Sequence, residues 1–407
     1  MGLAQTASFM AETIRVFRLA LDRSRLFASS REAFRYNAVR MATTNPAPPV
    51  SSLAPPQAAR IAETIRSKLP FHGTFASLTP LAGDASNRRY FRVRLKGTSP
   101  SSVIMMQLAE AEGFKQSEEA VSGASVQINE LPFTNVRSHL DAIGVAVPAL
   151  YYYDREAGLL YLEDFGDVTL AEACQAAERS RIETLYRRAV EGLVQMQAKG
   201  TSPRNAACIA FHRSFDVPLL MWEFDHFLEY GVVARQGKPM CSDDRHIILE
   251  EFRKIAELLA RQPHVFVHRD YHSRNLMVDG ERLGVIDFQD ALMGPCSYDL
   301  ASLLRDAYIQ LDEGLIDDLI ACFWDGMTRY DAGMTDRAAF RRLFDLTSIQ
   351  RNLKAAGRFV YIDRVKQNPK FLADIPRVLG YVKRNLLKYP ELSTLRKHLT
   401  PYVAELQ

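Results

Sequence analysis

The stretch Val265–Asp290, VFVHRDYHSRNLMVDGERLGVIDFQD, constrains this chain more than any other. Its apolar runs, HVFV, NLMV and LGVI, are too short to carry a helical period and are cut by polar turns, one of them at Asp279–Gly280. Such runs read as short strands, with a tight turn between the second and the third. On either side the pattern is helical: Arg181–Lys199 and Asp243–Arg261 are long and amphipathic, and helical spacing returns from Tyr298 to Gln407. A small β region inside a helical half must carry its polar residues at strand ends and turns. Those residues are His268, Arg269, Asp270, Asn275 and Asp287, and a hairpin after Asn275 returns Asp287 to its neighbourhood.

Upstream the period differs. QAARIAETIRSKL reads as a short amphipathic helix, and TFASLTPLAGDASNRRYFRVRL as two strands around a turn at Gly83–Asp84. SSVIMMQL reads as a third strand, and the polar stretch Glu110 to Asn129 as a loop or weak helix. Pro132 opens a helix in which Phe133, Val136, Leu140 and Ile143 recur at helical spacing and which Gly144 stops. ALYYYDREAGLLYLEDFG then supplies two strands around Arg155–Gly158. The expected class is therefore α+β. Residues 57–165 would form a small strand-rich lobe and 166–407 a larger, mainly helical one. Residues 1–56 are rich in Arg, Ala and Ser and end in the Pro-rich NPAPPVSSLAPP. A transit peptide can look like this, but Glu12, Asp22 and Glu32 argue against one, and Met41 offers a second start. The expectation is a poorly ordered extension or an over-long gene start.

Composition excludes several classes. With 47% apolar residues among 407, the chain can bury a sizeable core. A net charge of +3 lacks the basic excess of a dedicated nucleic-acid binder. No apolar run approaches the ~20 residues of a bilayer span. The five cysteines, Cys174, Cys208, Cys241, Cys296 and Cys322, form no CxxC pair. They read as reduced thiols of a cytoplasmic protein rather than a zinc or disulfide framework. Oligomeric state is not legible.

The polar residues of the central stretch carry the chemistry. His268, Arg269, Asp270 and Asn275 match the spacing H-R-D-x-x-x-x-N, and Asp287 follows on the next hairpin within an apolar-apolar-Asp-Phe run. Phosphoryl transfer needs positioning and charge neutralisation more than covalent help. Asp270 can accept the hydrogen bond and later the proton of an attacking hydroxyl. Asn275 and Asp287 supply hard oxygen ligands suited to Mg²⁺. His268 and Arg269 read as braces of the loop, and His272 as either an orienting or a packing residue.

Together, DASNRRYFRV, HRDY with RNLMV, DFQDA with GP and YD, and the late IQRNLK with ADIPR resemble the aminoglycoside phosphotransferase-like kinases. The resemblance runs from about Leu81 to Leu387 and is nearest to the bacterial N-acetylmuramate/N-acetylglucosamine anomeric kinases of cell-wall recycling. It implies a protein-kinase-like bilobal fold, ATP with Mg²⁺, and a small sugar as acceptor. It also implies that Ser86 and Asn87 face the ATP phosphates, that the backbone of Glu163 and Phe165 meets the adenine edge, and that Asp299 braces the catalytic loop. The third strand, VIMMQL, departs from the family in lacking a Lys for the phosphates, and Arg89, with Arg88 as second candidate, is expected to replace it. The acidic partner of that Lys is not identifiable, although Glu130 lies nearby. Acceptor candidates are Arg305 and Asp306 on one helix and Arg351 and Lys354 on another; a cation there would suit a carboxylated sugar. Tyr151–Tyr153 read as strand and core. Two alternatives stay open: a kinase of another hydroxyl compound (aminoglycoside, choline-like or homoserine-like), and a nucleotide-binding pseudokinase.

Overall fold

Alternation along one strand explains how the smaller lobe is layered. The lobe begins with α1 (Ala58–Ser67), β1 (Thr74–Leu81), β2 (Arg89–Lys96) and β3 (Ser102–Gln107). On β2, Phe91, Val93 and Leu95 are buried in a cluster with Ile61 and Ile65 of α1, whereas Tyr90 packs against the core of the larger lobe. The two faces of the sheet thus meet two different cores, as period-two geometry requires. The structure is a computed structural model that describes residues 56–81, 88–108, 130–330 and 336–407, and residues 57–407 form one unit. The N-terminal extension, the turn at Gly83–Asp84 and the stretch Glu110–Asn129 lie outside or almost wholly outside the described residues.

After α2 (Pro132–Ala142), β4 (Leu150–Asp154) and β5 (Leu159–Glu163) complete an antiparallel sheet of order β1-β2-β3-β5-β4. Gly144, at φ +79°, ends the α2 turn as its position predicts. Tyr151 packs edge-on to Phe71 at 5.2 Å and Tyr152 lies 6.4 Å from Tyr161, so these tyrosines are strand and core residues.

The larger lobe opens with α3 (Leu170–Cys174), started by a capping box between Thr169 and Glu172. Then follow α4 (Arg179–Thr201), α5 (Val217–His226) and α6 (Ser242–Ala260). α5 runs directly into a π-helical segment, Phe227–Ala234. β6 (His264–Val267), β7 (Leu276–Asp279), β8 (Arg282–Val285) and β9 (Leu292–Pro295) make two small sheets, β6 with β9 and β7 with β8. The lobe closes with α7 (Ser297–Leu304), α8 (Glu313–Thr328), α9 (Arg337–Lys366), α10 (Ile375–Lys388) and α11 (Ser393–Leu399). α9 is the axis of the lobe, packing on α5, α7, α10 and the π-helical segment. Among the described residues, no helix is long and apolar enough to cross a membrane. All five cysteines are unpaired thiols, three of them buried.

Candidate active site

β6 stops at Val267 and the chain enters a loop that side chains from three helices hold in place. Arg269 sits at φ +81° and Asp287 at φ +62°, conformations costing about 1–3 kcal/mol each for residues with a Cβ. Asp299, fully buried on α7, clasps the first strained residue: Oδ2 accepts the His268 N–H at 2.7 Å and Oδ1 the Arg269 N–H at 2.9 Å. Burial pushes its pKa up to about 6, against the opposing pull of His268 and the two backbone N–H groups. His268 is itself buried. Its Nε2 donates to Ile286 O at 2.9 Å and its Nδ1 accepts the Asp270 N–H at 3.3 Å. Those two bonds make His268 a brace between loop and hairpin, not a reacting group.

The hairpin does the remaining positioning. β7 pairs with β8 in the register Leu276↔Val285, and the Ile286 N–H donates to Asn275 O at 3.0 Å. Asp287 therefore stands one residue beyond the neighbour of Asn275. The Asn275 Nδ2 donates to Asp270 O at 2.9 Å, so its amide oxygen is the atom left for a cation. Asp287 is exposed to the cleft, and its Oδ1 accepts from Gln289 Nε2 at 2.8 Å. Asp270, Asn275 and Asp287 are thus brought together by a single loop and hairpin.

A charge network lies behind Asp270. Arg269 Nη2 donates to Glu223 Oε1 at 2.7 Å, Lys354 Nζ lies 3.2 Å from the same oxygen, and Gln350 Nε2 donates to Glu223 Oε2 at 2.6 Å. Burial acts to raise the pKa of Asp270, but Lys354 above all, then His272, Arg269 and Arg351, outweigh it and hold the carboxyl well below the usual range. Asp270 is therefore ionised, ready to accept a hydrogen bond. Burial likewise acts to lower the pKa of Lys354, and Glu223 and Tyr298 more than reverse it. Burial lowers the pKa of His272, against the pull of Asp306 and Asp270, and its ring meets Tyr308 edge-on at 5.2 Å.

The structure separates the four acceptor candidates. Lys354 and Arg351 act on Asp270 from α9, with Arg351 Nε donating to Ser302 Oγ at 2.6 Å. Asp306 is buried and accepts the Ser273 N–H at 2.9 Å and the Tyr308 N–H at 2.9 Å, so it shapes the loop. Arg305 is not brought to this group. It is 1% exposed, forks onto Glu313 at 2.6 and 2.9 Å and lies over Tyr381 at 5.2 Å. The reason is where the helix ends: α7 stops at Leu304, Arg305 is its non-helical C-cap at φ −115° and ψ 43°, and Asp306 lies beyond it, so the two do not share a helix face as the sequence suggested.

In the smaller lobe, Ser86 and Asn87 lie outside the described residues. The Glu163 N–H is paired with Ala149 O at 2.9 Å, so this residue keeps only its carbonyl for an adenine edge. Its carboxylate binds Arg282 at 2.7 Å. The Phe165 ring covers Gly284 of the β7–β8 hairpin, where an added Cβ would lie 2.5 Å from the ring. Glu130 accepts from Asn135 Nδ2 at 2.9 Å, at the start of α2. Arg89 does not face the cleft: its guanidinium lies 5.1 Å over Phe91, whose side chain is on the outer face of β2.

Two buried pairs escaped sequence reasoning. Arg92 forks onto Asp164 at 2.7 and 3.0 Å and reaches Asp167 at 2.5 Å, tying β2 to the segment between the lobes. Glu223 is the other. A carboxylate within the apolar run VPLLMWEFDHF was the available signal, because buried acids are rare unless paired.

The fold and this constellation define a kinase-like phosphotransferase. Residues 77–332 match the phosphotransferase enzyme family. The chain is similar to the N-acetylmuramate/N-acetylglucosamine kinase of Neisseria meningitidis serogroup B, at 32% identity over 350 residues, 84% of this chain and 94% of that protein. A protein of the same name from Pseudomonas putida is 31% identical over 334 residues, 81% of this chain and 88% of that protein. Among solved structures, a choline kinase from Cryptosporidium parvum covers 83% of this chain and 99% of its own at 12% identity, with a TM-score of 0.55. A choline/ethanolamine kinase family protein from Mesorhizobium loti covers 86% and 98% at 16% identity, with a TM-score of 0.51. Those two likenesses show the fold alone. The chain belongs to the phosphotransferase enzyme family, and it is an ATP-dependent kinase.

Proposed function

We propose that this enzyme transfers the γ-phosphoryl group of ATP, with Mg²⁺, to a hydroxyl of an N-acetylated amino sugar, N-acetylmuramate or N-acetylglucosamine, at the anomeric position. The observation that carries the acceptor is the likeness to kinases of that name over more than four fifths of the chain. The site chemistry is compatible with it. Asp270 would orient the sugar hydroxyl and take its proton. Asn275 and Asp287 would hold the metal. When bound there, Mg²⁺ would supply positive charge to offset that of the phosphates.

Among the described residues, no three His, Cys, Asp or Glu side chains gather into a metal site. An amide and a carboxylate alone leave most of an octahedral shell to phosphate oxygens and water, which is how Mg²⁺ is commonly held in kinases. Lys354 and Arg351 would keep Asp270 ionised and offer cations to the carboxylate of N-acetylmuramate. A cytoplasmic setting follows for an enzyme that draws on ATP.

The test is ADP release by purified enzyme with MgATP and a panel of amino sugars, aminoglycosides and choline-like alcohols, with the phosphorylated position read by ³¹P NMR. Turnover of the two N-acetyl sugars, reduced about 10²–10⁴-fold in Asp270→Asn, is the expected result. Preference for an aminoglycoside or an alcohol would overturn the acceptor, and MgATP binding without turnover of any acceptor would favour a pseudokinase.

A further inference from the structure

β3 has the sequence SVIMMQ and offers no cation to the ATP phosphates. Its cleft-side positions are set by register. Tyr90 of β2 pairs with Met106, and Arg92 with Ile104; all four belong to the sheet face turned to the larger lobe. Met106 and Ile104 thus stand where a phosphate-binding Lys would be sought.

The missing charge lies one strand over. Because side chains alternate along a strand, the position before Arg89 returns to the face of Tyr90 and Arg92. Arg88 occupies it. It bonds the Tyr90 side chain, and its charge interacts with Asp287 and Asp290 across the cleft. Arg89 points the other way, over Phe91. A cation that already faces the carboxylate at the metal position stands where the triphosphate of a bound nucleotide would lie. A guanidinium can grip two phosphate oxygens at once.

We propose that Arg88 is the phosphate-clamping residue of this enzyme, replacing the Lys that β3 lacks. The assignment rests on the kinase reading and adds a positioning role at its nucleotide site. From the face of β2 on which its charge interacts with Asp287 and Asp290, Arg88 would reach the phosphates of a bound nucleotide.

The test compares wild type, Arg88→Met, Arg88→Lys and Arg89→Met by calorimetric titration with MgATP and, separately, with adenosine, which has no phosphates. The expected result for Arg88→Met is MgATP binding weaker by about 10- to 100-fold with adenosine binding unchanged. Arg88→Lys should recover part of the MgATP affinity, and Arg89→Met should stay within about twofold of wild type. Equal MgATP affinity in Arg88→Met and wild type would overturn the proposal, as would a larger loss in Arg89→Met. Loss of adenosine and MgATP affinity in parallel would also overturn it, because that marks a damaged cleft rather than a lost clamp. If wild type itself binds no MgATP, the kinase reading falls as well, and that outcome is distinct from the others.

Discussion

Asp299 Oδ1 accepts the backbone N–H of Arg269 at 2.9 Å, and Arg269 is held in a left-handed conformation at φ +81°. One buried carboxylate thus compensates the strain that points the following residue, Asp270, into the cleft. Asn at 299 would keep one acceptor but turn an NH₂ donor towards an N–H donor. Asp299→Asn is expected to lose about 2–4 kcal/mol of stability in urea unfolding. Its kcat should fall by at least tenfold while MgATP affinity changes little, because the clasp orients the loop and not the nucleotide. A variant with wild-type kcat would show that the loop holds its shape without this pair.

Glu223 is the second such device. It is 1% exposed and is shared by Arg269, Lys354 and Gln350. Removing one member of a buried ionic set leaves its partners uncompensated, typically at 3–5 kcal/mol. Glu223→Leu is expected to lose about that much, and Lys354→Met less. The double variant should be less damaged than the sum of the two, because Lys354 is one of the cations stranded by the loss of Glu223. Denaturant titrations of the four proteins measure this coupling, and strict additivity would dissolve the network.

Much of this arrangement is readable in the sequence, and the unread parts have physical causes. The catalytic loop and hairpin are legible because HVFV, NLMV and LGVI are too short for helices and are punctuated by turn residues. β9 is not. Its LMGP holds a Gly and a Pro, residues that weaken a strand pattern, yet it pairs with β6 in the register Val267↔Leu292 and so fixes where the loop begins. The choice between Arg88 and Arg89 is legible in principle. Phe91, Val93 and Leu95 mark one apolar face, and Arg89 falls on it by parity. Glu223 and its partners are out of reach of local pattern, because they come from α5, the loop and α9, and only tertiary packing brings them together.

His226 makes an acid-sensitive contribution to stability. It is buried among Trp222, Tyr230 and Tyr361, with ring separations of 5.7, 4.7 and 5.4 Å. Burial, with help from Arg358 and Lys354 and against Glu223, lowers its pKa from 6.5 to about 3. Between those values the unfolded chain binds a proton that the folded chain refuses. The stability it permits is therefore complete above pH 6.5 and is lost as pH falls towards 3. Asp299, raised from 3.8 to about 6, acts in the opposite sense: its contribution is complete below pH 3.8 and lost as pH rises through 6. Net curves mix these with the other shifted groups, Asp270 and His272 among them, so the measurement is a difference. The stability of wild type minus that of His226→Phe should fall steadily from pH 7 to pH 4, and a flat difference would rule out a buried neutral His226.

Gly357 fixes the distance between α9 and the π-helical segment, and the chemistry depends on that distance. A Cβ at Gly357 would lie 2.8 Å from Phe227 Cα and 3.2 Å from both Phe227 N and His226 O. These are backbone atoms, so no side-chain rotation relieves the clash; the two helices must separate. Lys354 lies one turn before Gly357 on α9, and Glu223 one turn before Phe227 on the other element, so separation stretches their 3.2 Å contact. Gly357→Ala is expected to lose about 1–3 kcal/mol despite the better helix propensity of Ala. Its kcat should drop as Asp270 loses its cations. Gly380, within α10, is the control: an added Cβ there meets nothing within 4 Å, so Gly380→Ala should gain about 0.5–1 kcal/mol and leave kcat unchanged. Urea unfolding and steady-state rates on the two variants separate backbone crowding at this crossing from a general effect of filling helix glycines. Equal behaviour of the two would mean that the α9 crossing tolerates a methyl group and that the Lys354–Glu223 spacing is set elsewhere.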